Sequence, residues 1–416
     1  MSLSKDPPVK SWSSEFYLAV AAIQAYNPAV PIEQDQKQFN EINTFEVPSN
    51  IIIEEVILDE RYRQESKKHL EKILNQYEDV LDEKWKEPND KLHGEWVYTK
   101  EEDNETDKVI LYIHGGGYYL GSPKRFRETT SKHAEHAKAR VFATSYRLAP
   151  QNQFPASLCD SVAAYLYLLN PVLVDLTHSM PSFWDAKLDK IDILPKKFGF
   201  REIGPSSPVA DECIANAKAL SDKIAQKKPT IVGHPSFTEA PRVQLYCANE
   251  ALAIPYVSPM LAESLGDLPP ILCQVGGLER LRDEGILFSY KAAYPHEYQL
   301  PSYATKNFEK SPFKNPTKVI LEVYDDMTHG WRMLTFFKTS RVAFERCGDF
   351  IKRVTSIKDN KTSMIDLLKE DAVSPSISIS PSFIGMRVSV DGEIRELNKT
   401  DQDCLKWDKV GIVPKI

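Results

Sequence analysis

The sequence predicts an α/β fold with a mainly parallel sheet. Short apolar segments rich in β-branched residues have the length of buried strands, and segments with helical spacing lie between them. The clearest strands are predicted at residues 109–113, 141–146 and 319–324, and a helix is predicted around residues 125–139. Strands that alternate with helices indicate parallel pairing, because a crossover helix returns the chain to the same end of the sheet.

The segment before these strands, residues 1–94, is predicted as an N-terminal extension. Apolar residues recur at helical spacing over residues 62–85, and they are Leu70, Ile73, Leu74, Tyr77, Val80 and Leu81. This pattern predicts an amphipathic helix that covers an apolar surface. Residues 95–99 alternate like a strand and are predicted to form a hairpin with residues 109–113.

The rest of the chain divides into a core at residues 95–354 and a polar C-terminal extension at residues 355–416. The predicted core elements are helices at residues 156–169, 209–227, 243–253, 280–294 and 331–354 and strands at residues 271–275 and 319–324. The extension is rich in serine and has one strand-like segment at residues 386–390. The strand at residues 319–324 is therefore predicted as the last clear strand of the sheet.

The composition is typical of a globular protein and argues against several partners. The formal net charge is −7, from 52 basic and 59 acidic residues, and no long basic run is present, so a nucleic-acid partner is not expected. No apolar run reaches the roughly 18 residues that span a bilayer. The apolar patch at residues 16–23 lacks the flanking features of a signal peptide. A cytoplasmic location, or one at an organelle or lipid surface, is therefore predicted.

The six cysteines are widely spaced and contain no CxxC pair: Cys159, Cys213, Cys247, Cys273, Cys347 and Cys404. Spacing of this kind predicts reduced thiols in a reducing compartment. It predicts neither a disulfide framework nor a zinc site. The histidines likewise show no spacing that indicates a metal centre.

One loop is marked by three consecutive glycines. The strand at residues 109–113 runs directly into His114, Gly115, Gly116 and Gly117. Glycines leave the backbone N–H groups open to close approach, and a run of them costs conformational entropy. Such a loop therefore indicates either a tight turn or an anion-binding site.

Seven segments follow one another in the order of a known family: HGGGYYLGS, YRLAP, FPASLCDSVAAYLYL, VDLTHSMPSF, YVSPMLAESLGDLPPI, LERLRDE and YDDMTHGW. Together they resemble the hormone-sensitive-lipase branch of the α/β-hydrolase fold-3 family, and within it the large fungal esterase-like and lipase-like hydrolases. The likeness runs over residues 95–350. It implies an α/β-hydrolase fold with an N-terminal helical cap, to which the helix at residues 62–85 could belong.

The resemblance also implies a function. Members of the family hydrolyse carboxylic esters, as esterases, lipases or deacetylases, by acyl transfer through a serine, a histidine base and an acidic partner. That chemistry needs no cofactor. A small hydrophobic ester is the expected substrate, and Tyr118 and Tyr119 beside the glycines are expected to supply an aromatic wall.

By the same resemblance, the glycine loop is an oxyanion hole. Gly116 and Gly117 are expected to donate their N–H groups to the developing oxyanion, while Gly115 sets the turn. His114 is expected to have a structural role.

The resemblance assigns the acid to Glu279 and the base to His329. Glu279 follows the strand at residues 271–275, and His329 follows the next strand, which is the order of acid and histidine in this fold. The family often has a second acidic residue where this chain has Gly277. Asp283 is the alternative acid, although its position suits a helix cap or the surface.

The nucleophile of the family has no match. Its G-x-S-x-G elbow belongs between the segments that match residues 156–169 and 174–183, and this chain joins them directly at residues 171–172. Ser161 lacks both glycines and lies in a predicted helix, and Ser236 lies in a loop with one glycine and a proline. An internal deletion of a central strand and the elbow is therefore predicted, and an altered transcript is the favoured explanation.

Three interpretations follow from these observations. The chain represents a carboxylic-ester hydrolase that is inactive because no nucleophile serine is recognisable. Alternatively, it is a non-catalytic relative that binds a small apolar ligand or a protein partner. The third interpretation is a chain that does not fold stably.

Overall fold

The computed structural model describes residues 7–25, 30–41, 45–102, 106–169, 207–227, 245–248, 250–279, 281–297, 311–356, 363–368 and 377–397. The chain forms two compact units. We call residues 28–262 and 302–309 the glycine-loop unit, and residues 1–27, 263–301 and 310–416 the histidine unit. The division into segments 1–94, 95–354 and 355–416 stays a prediction.

The sheet of the glycine-loop unit has four strands in the order β1-β2-β4-β3. They are β1 (Ile51–Ile57), β2 (His93–Thr99), β3 (Val109–Tyr112) and β4 (Arg140–Ser145). β2 pairs antiparallel with both β1 and β4, whereas β3 pairs parallel with β4. The predicted hairpin of residues 95–99 with residues 109–113 is wrong, because β4 lies between β2 and β3.

The α-helices of the described residues are α1 (Ser14–Ala25), α2 (Ile32–Glu41), α3 (Glu60–Leu74), α4 (Arg127–Ala137), α5 (Ala156–Leu169), α6 (Pro208–Lys227), α7 (Arg282–Ala293) and α8 (Lys338–Ser356). Of these, α1, α7 and α8 belong to the histidine unit. Every described helix is either too short or too polar to span a membrane.

The amphipathic segment at residues 62–85 is helical over a shorter stretch than predicted. Helix α3 begins after Asp59, whose carboxylate accepts the N–H of Arg61, and it ends at Leu74. Two 3-10 turns follow, at Asn75–Val80 and Glu83–Lys86. The apolar face packs on α5 in one core cluster, in which Leu70, Leu74, Tyr77, Val80 and Leu81 join Leu158 and Val162 of α5. This face therefore covers a helix of the core.

A buried ion cluster joins α3, α5 and the segment after β4. Asp160 is fully buried and accepts from Arg63 Nε at 2.8 Å and from Arg147 Nε at 2.9 Å. The side chains of Arg63 and Arg147 are 3% and 1% exposed. A carboxylate shared by two guanidinium groups at this depth ties three elements together, because none of the charges can be left without a partner.

The sheet of the histidine unit also has four strands, in the order β5-β6-β7-β8. They are β5 (Ile271–Gly276), β6 (Val319–Tyr324), β7 (Phe383–Val388) and β8 (Ile394–Glu396). β6 pairs parallel with β5 and β7, and β8 returns antiparallel to β7. The strand-like segment predicted at residues 386–390 overlaps β7, and its parallel pairing with β6 means that β6 is followed by a further strand of the sheet. Ile384, Met386 and Val388 of β7 are completely buried.

Each sheet ends at a parallel strand with one open edge. Within the described residues, β3 pairs only with β4, and β5 pairs only with β6. Three of the six pairings in the two sheets are parallel.

Candidate active site

Glu279 lies on the turn that follows β5. Its Oε1 accepts the N–H of Gly276 at 2.7 Å, and its side chain is only 7% exposed. Arg282, one of the residues that sequence reasoning missed, donates through Nη1 to the carbonyl of Gly277 at 3.1 Å. The carboxylate is therefore fixed by the backbone of its own turn.

His329 lies on the loop that follows β6, and it meets Glu279. The distance from His329 Nδ1 to Glu279 Oε2 is 2.5 Å, and the imidazole is 55% exposed. A carboxylate accepts, so Nδ1 carries the hydrogen and Nε2 keeps a lone pair that can act as a base. The structure thus brings together the acid and the base that the sequence singled out. Their catalytic roles stay a prediction.

The two loops approach each other closely, and a glycine permits it. A Cβ atom on Gly276 would lie 2.4 Å from the carbonyl oxygen of Met327, which is closer than any side chain allows. The N–H of Leu278 donates to that same carbonyl at 2.9 Å, and the N–H of Gly277 donates to Tyr324 at 2.7 Å. These backbone bonds align the turn of Glu279 with the loop of His329.

Asp283, the alternative acid, has a different partner. It lies in the first turn of α7, and it accepts from Arg282 Nε at 2.8 Å. Its side chain is 45% exposed. An acidic residue in the first turn stabilises the helix by interacting with the helix dipole. The geometry therefore favours Glu279 as the partner of His329.

The glycine loop of the other unit has a backbone that only glycine adopts easily. Gly116 has φ +108° and Gly117 has φ +74°. A Cβ atom on Gly116 would lie 2.0 Å from the carbonyl oxygen of Leu120. Within the described part of the chain, the N–H groups of Gly115, Gly116 and Gly117 donate to no acceptor, and all three residues are partly exposed. Backbone donors of this kind are what an anionic oxygen requires.

The ring of His114 packs against residues that follow the glycine loop in the chain. Its ring stacks on Tyr146 with centroids 4.1 Å apart, and the hydroxyl of Tyr146 donates to the His114 carbonyl at 2.7 Å. Gly121, with φ +111°, passes directly over this ring, since a Cβ atom there would lie 2.4 Å from Nδ1. His114 is buried, which suits a structural role.

Tyr118 and Tyr119 are both packed inside the unit, and each residue is 9% exposed. The aromatic wall that they were expected to supply stays a prediction. The hydroxyl of Tyr119 donates to Asp35 at 2.8 Å, and the ring of Tyr118 stacks on Tyr246 with centroids 4.3 Å apart. Burial raises the pKa of Tyr118 to about 12.

Neither serine considered from the sequence lies at an elbow in the structure described. Ser161 is buried within α5, and its hydroxyl donates to the carbonyl of Ser157 one turn earlier at 2.8 Å. Ser236 lies outside the described residues. The sequence itself contains no G-x-S-x-G. Among the described residues, no group of three or more His, Cys, Asp or Glu could hold a metal ion.

A family-level comparison agrees with this architecture. The sequence profile of a family described as alpha/beta hydrolase fold matches residues 110–193, which include most of β3, the glycine loop and α5. The chain has the α/β-hydrolase fold.

Two relatives of this α/β-hydrolase-fold chain have the names of hydrolases. An acetyl-hydrolase of Streptomyces hygroscopicus is 29% identical over 270 residues, which are 63% of this chain and 80% of the relative. Esterase LipI of Mycobacterium tuberculosis is 28% identical over 200 residues, which are 45% of this chain and 60% of the relative. At the level of the family, the function is hydrolysis of carboxylic esters.

A solved structure of an esterase from the bacterial hormone-sensitive lipase family is also similar. The match has a TM-score of 0.45 and 23% sequence identity, and it covers 80% of this chain and 95% of that esterase.

Proposed function

We propose that Glu279 and His329 are the acid–base pair of a carboxylic-ester hydrolase. The observation that carries this proposal is the 2.5 Å hydrogen bond between His329 Nδ1 and Glu279 Oε2. A carboxylate in this position fixes the tautomer of the imidazole and stabilises the imidazolium that forms when Nε2 takes a proton. The second oxygen of Glu279 accepts the Gly276 N–H, so the carboxylate cannot rotate freely.

The glycine loop would supply the oxyanion donors. The N–H groups of Gly116 and Gly117 are the proposed donors, and Gly115 sets the turn. Each preorganised donor of this type contributes about 10²–10³ in rate. The absence of an acceptor for these N–H groups within the described residues supports this role.

We propose further that this chain does not form an acyl-enzyme on a serine. The missing G-x-S-x-G removes the nucleophile, and the backbone N–H after that serine is normally part of the oxyanion hole. The proposal that a strand of the family's sheet is missing rests on the sequence, which joins the two flanking segments directly at residues 171–172. An open apolar edge also invites association with other chains.

The proposed ligand class is a small hydrophobic ester. The names of the relatives, acetyl-hydrolase and esterase, support it. A cytoplasmic location, or one at an organelle or lipid surface, is consistent with the five described cysteines, which are all free thiols. Nucleic acid is not expected as a partner, because the net charge is −7.

Turnover of an unactivated ester tests the proposal. The purified chain is first checked for a cooperative thermal transition, and hydrolysis of ethyl butyrate is then followed by pH-stat titration. Wild type, His329→Gln and His93→Gln are compared, since His93 is an exposed histidine on β2. All three are expected to match the buffer rate. Turnover that is present in wild type and His93→Gln but lost in His329→Gln would contradict the absence of a nucleophile.

The missing G-x-S-x-G favours a second candidate function, non-catalytic binding of a small apolar ligand. In that case ethyl butyrate should raise the melting temperature of the folded chain without being hydrolysed, because a ligand that binds only the native state stabilises it. An unchanged melting temperature at saturating ester would argue against binding of this ligand class.

A further inference from the structure

The loop that carries His329 contains two residues with a left-handed backbone conformation. Asp326 has φ +60° and Gly330 has φ +74°, so the backbone is left-handed on both sides of the histidine. Glycine adopts that region without cost, and Asp adopts it more readily than most residues with a side chain, so contacts that hold Asp326 there favour this loop conformation. The contacts of Asp325 and Asp326 show what holds this loop.

The N-terminal segment holds the loop on one side. Trp12 Nε1 donates to the backbone carbonyl of Asp326 at 2.7 Å, and Ser11 Oγ donates to Asp326 Oδ2 at 2.6 Å. The indole of Trp12 is buried in an apolar cluster that also contains Met327 and Trp331 of the same loop. The donor therefore has little freedom to move away from its acceptor.

The C-terminal strands hold the loop on the other side. Arg387 of β7 donates from Nε to Asp325 Oδ1 at 2.6 Å, and Arg395 of β8 donates from Nη2 to Asp325 Oδ2 at 3.0 Å. The N–H of Asp325 donates to the carbonyl of Val388 at 2.8 Å. Charge-assisted bonds of this kind are roughly twice as strong as neutral ones.

These contacts reach the acid–base pair through a short backbone path. Met327, next to Asp326, accepts the N–H of Leu278, which is the neighbour of Glu279. His329 is two residues further along the same loop. We propose that Trp12 and Arg387 are positioning residues for His329, which keep Nδ1 within hydrogen-bond distance of Glu279. This inference rests on the proposed acid–base pair and adds two segments that lie far from it in sequence.

Proton NMR of the full chain with ¹⁵N-labelled histidine tests the inference without requiring activity. An Nδ1–H held in a short bond to a carboxylate gives a resonance far downfield, which His329→Gln assigns by its loss. Trp12→Phe removes the indole donor but keeps a ring, and Arg387→Gln removes the charge. Both variants are expected to lose this resonance while they keep a cooperative melt. Arg387→Lys, which keeps the charge but not the planar fork, is expected to restore part of the signal.

Matched controls separate positioning from general loss of stability. Tyr17→Phe changes a half-buried ring next to Trp12, and Arg341→Gln changes an exposed arginine of α8; both are expected to keep the resonance. If Trp12→Phe does not fold, Ser11→Ala decides in its place, because it removes only the bond to Asp326 Oδ2.

The possible failures are distinct. A resonance that persists unchanged in the folded variants of Trp12, or of Ser11 in its place, and of Arg387 would overturn the positioning role. A wild-type chain without the resonance, or one that keeps it in Glu279→Gln, would instead overturn the acid–base pair on which the inference rests.

Discussion

Asp160 and Asp325 each pair with two arginines, but their surroundings differ. Asp160 is fully buried, as are its partners Arg63 and Arg147. Asp325 is 16% exposed, and its partners Arg387 and Arg395 are 20% and 53% exposed. Water screens the second cluster in part, so removal of one of its members should cost less free energy than at the buried cluster. The buried cluster stabilises a core, whereas the exposed cluster holds a loop.

The largest effect is expected at the buried cluster. Asp160→Ala should lower the free energy of unfolding by about 3–5 kcal/mol, because it leaves two buried guanidinium groups without their shared carboxylate. Urea denaturation measures the change. Asp391→Ala is the control, since Asp391 is 72% exposed and its pair with Lys338 should contribute at most about 1 kcal/mol. Equal losses in the two variants would refute the contrast between the buried cluster and an exposed ion pair.

Lys291 extends the comparison to a buried cation. Burial lowers its pKa from 10.5 to about 8, although Glu263 acts in the opposite direction. Between about pH 8 and pH 10.5, Lys291 is protonated in the unfolded state but not in the folded state. The unfolded state therefore binds more protons, and the free energy of unfolding should rise with pH across that window. At about 1.4 kcal/mol per pKa unit, the full rise is on the order of 3 kcal/mol.

Lys291→Met should remove this rise, and urea denaturation across the same pH window measures it. Lys338→Met, a change at an exposed lysine of α8, should keep the slope of wild type. A slope that survives in Lys291→Met would show that another group titrates.

The smallest effects are expected at the exposed cluster. Arg387→Gln removes a charge-assisted bond at a mostly buried position and should cost about 1.5–3 kcal/mol. Arg395→Gln should cost at most about 1 kcal/mol, because that guanidinium is more than half exposed. Urea denaturation of both variants tests which substitution costs more. A larger loss of unfolding free energy in Arg395→Gln than in Arg387→Gln would contradict this expectation.

The sequence predicted elements whose signal is local. Helix α5 and strand β6 begin and end at the predicted residues, because an unbroken apolar pattern of the right length defines each. The pairing of β2 was wrong because β4, which separates β2 from β3, comes later in the chain. Strand pairing depends on contacts between distant residues, and local periodicity does not contain them.

The same distinction applies to the candidate site. Glu279 and His329 could be singled out because the segments that carry them resemble those of a known family, and each follows a predicted strand. The contact of Trp12 with Asp326 spans 314 residues, and that of Arg387 with Asp325 spans 62. Neither contact leaves a mark on the sequence around His329. Strand β7 lies in a serine-rich segment with a weak strand signal. Its place in the sheet follows from its pairing with β6, which is distant in the chain.

The central claim is that this chain keeps the acid–base pair of an ester hydrolase without a serine nucleophile. Intact-mass measurement after incubation of the native, folded chain with a fluorophosphonate tests it most directly. The account predicts no adduct on any serine, and the same result for His329→Gln. A single stoichiometric adduct on one serine, formed in wild type and lost in His329→Gln, would contradict it.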